Sequence, residues 1–180
     1  MRAACFLAVL LAITSRPVPA QTAPAATPAC AADSTYHVLD FWVGEWRVTV
    51  DGKVDGTNRV EKILGGCAMT ETWHGADGHD GHSLLYVTPF LTAKRWNQVW
   101  VTDQARVFGG TKEKSLVATY PDGGVRFQGE LVGPRGRVVI DRATLTPMPD
   151  GTIRQVIELS LDGGSTWQQN YQATYTRIKP

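Results

Sequence analysis

Glu71, Gln98 and Arg142 are the residues whose types and setting could do chemistry. Each interrupts an apolar alternation. Glu71 stands between Met69 and Trp73, Gln98 between Trp96 and Trp100, and Arg142 follows Val138 and Ile140. A carboxylate or guanidinium on an apolar face is costly without a partner. Gathered on a cavity floor, the three would form a polar cluster. A desolvated Glu71 could move a proton. A neighbouring Arg142 would draw its pKa back down and make the pair structural. The plainer reading is a salt bridge that fixes strand register.

Trp73, Trp96 and Trp100 fall on the same faces as this cluster. As cavity walls they favour a flat, apolar or aromatic ligand; as filler they would make the interior solid. The loop "HGADGHDGH" holds His74, His79 and His82 with Asp77 and Asp80. Imidazoles and carboxylates at this density can bind a zinc or copper ion. The Gly-rich spacing shows no second layer of support, so a solvated hairpin tip is the plainer reading.

Ser160-x-Asp162-x-Gly164-x-Thr166-Trp167 fits the Asp-box pattern of sialidase propellers. One copy cannot build a propeller, so it reads as a hairpin whose Asp accepts backbone N–H bonds while Trp167 packs beneath. Gln155, just before Ile157, is a further polar residue in an inward series. The chain has no Gly-x-Ser-x-Gly elbow, phosphate loop or His-x-x-x-His helix.

The elements that must position these residues are strands. Turn signals such as "DGKVDG", "GADGHDG", "PDGG" and "DGG" separate short runs rich in Val, Ile, Thr, Tyr and Trp. The runs predict strands near 45–51, 56–64, 67–74, 82–88, 95–103, 105–111, 115–120, 124–132, 136–146, 152–161 and 166–177. No stretch sustains a helical period; "YHVLDFWVG" offers at most a short helical turn plugging one end. The fold class is therefore all-β, an up-and-down antiparallel barrel of about ten strands, with a sandwich as the alternative. Gly44-Glu45-Trp46 opens the first strand and Arg177 ends the last. A guanidinium lying on that indole would close one end of the barrel.

The chain has 180 residues. Residues 1–20 combine Arg2, an apolar run from Ala3 to Ile13, and Val18-Pro19-Ala20, which suits a signal peptide cleaved after Ala20. That run is too short to span a bilayer. Residues 21–35 read as an Ala/Pro-rich tether and residues 36–180 as one barrel domain. Removing Arg2 and Arg16 takes the formal charge from +1 to −1. No basic field remains for nucleic acid or an anionic membrane. Cys5 leaves with the leader, so Cys30 and Cys67 read as one disulfide, two free thiols being the alternative.

Taken together, "LDFWVGEWRV", "DGTNRVEKILGGC", "ETWHG", "GHSLLY", "RWNQVWVTD" and "RQVIELSLDGGSTW" resemble a bacterial exported family of unknown function. Its members carry an F-D-F-W-x-G-E-W opening and a G-G-C followed by E-x-W. The likeness covers residues 39–177 and implies a calycin-like barrel, similar to lipocalins and to the haem barrel nitrobindin. Two departures stand out. Leu85 occupies a place where the family often has Asn, and the loop before Ser83 is His-rich. Nitrobindin holds haem through a late His, but no His follows His82 here, so no cofactor is expected.

The expectation is a periplasmic or secreted barrel that binds a small apolar or amphipathic molecule. Glu71, Trp73, Ser83, Trp96, Gln98, Trp100 and Arg142 would line the site, with Trp46 and Arg177 structural. Two alternatives are an isomerase, cyclase or lyase using Glu71 as acid or base, and a filled barrel acting as an envelope interaction module.

Overall fold

The computed structural model describes residues 28–90, 93–104 and 110–178. The expected leader and tether residues 21–27 lie outside the described residues. So do residues 105–109 of the strand expected at 105–111. Ten strands follow one another: β1 (Gly44–Val50), β2 (Lys53–Ile63), β3 (Ala68–Gly75), β4 (Asp80–Phe90), β5 (Ala93–Thr102), β6 (Thr111–Thr119), β7 (Val125–Val132), β8 (Val138–Pro147), β9 (Ile153–Ser160) and β10 (Gln168–Arg177). Each pairs antiparallel with its sequence neighbours, and β1 pairs with β10, so the sheet closes into an up-and-down barrel.

Period-two alternation decides what the barrel contains. Leu39, Trp42, Trp46, Met69, Trp96 and Phe127 belong to one buried cluster that fills one end of the interior. Short 3-10 turns at Ser34–His37 and Asp40–Trp42 plug this end. The Trp46 indole N–H donates to the Trp42 carbonyl at 2.9 Å, and the Trp96 indole N–H to the Thr35 carbonyl at 2.7 Å. Arg177 lies over the Trp46 ring at 4.3 Å and donates to the Val43 carbonyl at 3.1 Å. The closure expected from the two ends of the domain is therefore present. A disulfide between Cys30 and Cys67, 37 residues apart, ties the segment before the plug to the β2–β3 connection.

Register shifts mark unpaired residues in three strands; on β6 the residue is Val117, between Leu116 and Ala118. Val48 pairs with Gly56 but Thr49 with Val54, which leaves Asp55 as a bulge on β2. Gln169 pairs with Glu158 but Tyr171 with Ile157, which leaves Asn170 as a bulge on β10. Such bulges re-aim side chains. The β10 bulge puts Trp167 outside and Tyr171 and Tyr175 inside, whereas unbroken alternation places all three on one face.

The inward face of β8 is also corrected. Val139, Asp141, Ala143 and Leu145 are buried, so Val138, Ile140 and Arg142 are the outward set. A one-residue slip exchanges the two faces of a strand.

Candidate functional site: the open half of the barrel

Beyond the solid half lies a cavity of about 600 Å³, open toward the β1–β2, β3–β4 and β5–β6 turns. Trp73, Trp100, Tyr171, Ile157 and Val54 give it apolar stretches of wall, set among polar and charged groups that include Asp55, Asp77, Gln98, Lys112 and Lys114. Two glycines make room for the indoles. A Cβ on Gly81 would stand 2.2 Å from the Trp100 ring, and one on Gly56 2.7 Å from the Trp73 ring. Each tryptophan therefore lies flat against a side-chainless position on the adjacent strand.

A belt of polar side chains separates the hollow half from the solid half. Glu71 on β3 is at its centre. Its Oε1 accepts from Asn58 Nδ2 at 2.8 Å; its Oε2 accepts from Ser83 Oγ at 2.6 Å and Gln98 Nε2 at 3.2 Å. Gln98 Nε2 also donates to Ser83 Oγ at 3.0 Å. Burial pushes the Glu71 carboxyl above the ordinary range, while its three donors pull it back. A carboxylate engaged at both oxygens anchors its neighbours' orientation. With both bonds from its amide nitrogen spent, Gln98 turns its carbonyl oxygen away from the network. On β10, Tyr175 Oη donates to Gln155 Oε1 at 3.0 Å, which leaves the Gln155 amide N–H groups for the lumen.

The opposite wall carries a buried ion pair. Lys114 Nζ on β6 donates to Asp141 Oδ1 on β8 at 2.5 Å, and Lys112 Nζ lies 3.0 Å from Oδ2. Asp141 has no exposed surface and Lys114 is 7% exposed. The strand between them, β7, offers Gly129, which is in register with Asp141. A Cβ there would approach the Glu113 carbonyl oxygen to 1.9 Å. A glycine at that point lets β6 approach closely and lets ammonium and carboxylate meet across the gap. Burial holds the Lys114 pKa below its ordinary value, against the opposing pull of Asp141. At the mouth, the bulged Asp55 accepts from Tyr171 Oη at 2.7 Å; burial and this carboxylate push the phenol pKa up.

Of the residues expected to line the site, Glu71, Trp73, Gln98 and Trp100 face the cavity, and Ser83 stands beneath it bonded to Glu71. Trp96 does not. Fully buried two residues nearer the plug than Gln98, it packs edge-on against Tyr36 at 6.1 Å. Arg142 is on the outer face, where Glu158 takes two of its N–H groups at 2.7 and 2.9 Å and the Trp167 ring lies 3.6 Å beneath it. Asn58, Asp55, Lys114 and Asp141 were not foreseen. The alternation Lys112, Lys114, Leu116 and the position of Asp141 between Val139 and Ala143 were available signals.

The histidines do not converge. His74 pairs with Asp80 at 2.8 Å, His79 with Asp103 at 3.2 Å, and His82 with Thr72 at 3.3 Å. Among the described residues no group of three His, Cys, Asp or Glu could hold a metal ion. The Asp-box hairpin is built as expected: Asp162 accepts from Thr166 Oγ1 at 2.6 Å, Thr166 N at 2.9 Å and Ser160 Oγ at 2.8 Å, and its pKa falls to about 2 through these bonds. Among the described residues no helix is long and apolar enough to cross a membrane.

No protein-family model matches the chain, and a search of curated proteins finds no match. The functional reading rests on the geometry of the cavity.

Proposed function

We propose that the protein is an exported small-molecule-binding barrel whose open half holds one apolar or amphipathic ligand. One observation carries the reading. The barrel holds a cavity of about 600 Å³ in which the rings of Trp73, Trp100, Tyr171 and Tyr175 stand beside oriented polar and charged groups. Small-molecule sites fall in the range of about 300–1,000 Å³ and combine apolar walls with a few placed polar groups. A barrel used only as a filled interaction module has no need of Gly56 and Gly81 beside the two indoles.

The Cys30–Cys67 disulfide supports a periplasmic or secreted setting, since such bonds persist in oxidising compartments. The leader-like residues 1–20 and the motif resemblance to an exported barrel family point the same way. The acid/base reading of Glu71 is the weaker one, because both of its oxygens already accept hydrogen bonds from Asn58, Ser83 and Gln98.

The test is a titration of purified protein with N-phenyl-1-naphthylamine, a neutral lipophilic fluorophore, followed by competition with a panel of flat amphipathic molecules. Saturable uptake with quenching of tryptophan emission, weakened by Trp100→Ala, is expected. Absence of saturable binding across fluorophore and panel would sink the proposal.

A further inference from the structure

We propose that the ligand enters polar end first and that this end is a carboxylate, engaged by the Lys114 ammonium on the cavity floor. The inference rests on the small-molecule reading above and specifies its ligand.

The argument is a hydrogen-bond accounting. An ammonium carries three N–H donors. Among the described residues Lys114 spends one, on Asp141. The side chain is all but buried yet lines the cavity, so its remaining donors have only the lumen to meet. A buried donor left without an acceptor costs about 1–3 kcal/mol, and more when charged. Asp141, fully buried and 2.5 Å away, favours the charged form of Lys114 and opposes the burial that lowers its pKa.

The neighbouring groups bias the floor in the same sense. Gln155 gives its carbonyl to Tyr175 and keeps its N–H donors for the lumen. Glu71 accepts from three donors, Asn58, Ser83 and Gln98, and its charge acts on the ammonium from a distance without a hydrogen bond to it. Gln98 presents an oxygen to the cavity, and Asn58 Oδ1, buried beside Glu71 without a partner, is a second acceptor. Donors outnumber acceptors, which favours a ligand group that only accepts. A carboxylate is flat, has two acceptor oxygens and bears a single charge. Asp141 already offsets part of the positive charge on this wall, which suits a monoanion better than a phosphate dianion. Trp73 and Trp100 would then flank the apolar remainder of the molecule.

The test compares naphthalene-2-carboxylate with naphthalene-2-carboxamide, equal in shape and different in charge, by calorimetry at neutral pH. The native protein should bind the carboxylate at least about tenfold more tightly, the ratio given by one charge-assisted hydrogen bond. Lys114→Met should erase that preference, the carboxylate losing more affinity than the amide. If the lone substitution prevents folding, Lys114→Gln combined with Asp141→Asn removes both charges and retains the shape. Equal affinity for the two probes would overturn the carboxylate assignment and leave the small-molecule reading standing, as would a preference that survives loss of Lys114. Failure of both probes, together with the neutral fluorophore, would overturn both proposals.

Discussion

The guanidinium carbon of Arg177 sits 4.3 Å above the ring of Trp46, although 131 residues of chain separate them, because β10 and β1 are in register at this pair. The contact closes the sheet and caps the solid half. Arg177→Ala should lower stability by about 1 kcal/mol, and Arg177→Lys by less, since an exposed cation–π contact is worth about 0.5–1 kcal/mol and Arg177 also bonds the Val43 carbonyl. Urea unfolding followed by tryptophan emission measures both. An Arg177→Ala protein as stable as the parent would show that backbone pairing alone closes the barrel.

Gly81→Ala should narrow the cavity. The added methyl would meet the Trp100 ring, so the indole must swing into the lumen. Probe affinity is expected to fall severalfold while the strand pairing of β4 survives. Gly56→Ala, which meets both the Trp73 ring and the His74 carbonyl oxygen, should cost stability as well. Circular dichroism and probe titration of the two variants separate these outcomes.

Asp141 serves two lysines, and Lys114 serves one carboxylate. Removing the carboxylate leaves two cations facing each other, so Asp141→Asn should destabilise more than Lys114→Met. Breaking a buried pair costs about 3–5 kcal/mol, and the Asp141 variant should lie at the upper end. Denaturant midpoints rank the two, and the reverse order would mean that Lys112 needs no help from Asp141.

His37 holds the plug through both ring nitrogens. Nδ1 faces Asp40 Oδ2 at 2.8 Å and Nε2 faces the Ala31 carbonyl at 3.0 Å, so two acceptors favour the imidazolium and raise its pKa above 6.5. A raised folded-state pKa adds stability that is fully present below the unfolded value and is lost as pH rises through the folded one. Hydrogen exchange in residues 34–42 should therefore speed up, beyond the intrinsic base-catalysed rise, as pH climbs above 6.5. His37→Gln should remove that added slope. A wild-type profile matching the variant would contradict this account.

Reduction of Cys30–Cys67 should destabilise by up to about 4 kcal/mol, the loop-closure entropy for 37 residues. The loss should appear first at the plug, since the disulfide anchors the 3-10 turns and leaves the strand ladder untouched. Thermal melts with and without reductant, and with Cys30→Ala/Cys67→Ala, measure it.

The alternation of Trp46, Val48 and the later strands, with glycine-bearing turns between them, determined an all-β closed barrel. Local period-two patterning and turn chemistry are properties of short stretches and need no tertiary information. Glu71, Trp73, Gln98 and Trp100 were legible as cavity residues for the same reason. Arg142 was misplaced because the inward face of β8 was read one residue out of step, and unbroken alternation on β10 would carry Trp167 inside, where a bulge at Asn170 instead sets it outside. Face choice in a strand with apolar residues on both sides, and the location of a bulge, depend on which partner strand lies alongside. Lys114, Gly129 and Asp141 are ordinary residues in three separate strands. Only closure of the sheet brings ammonium and carboxylate together across a glycine, because that row is defined by register between strands far apart in the chain.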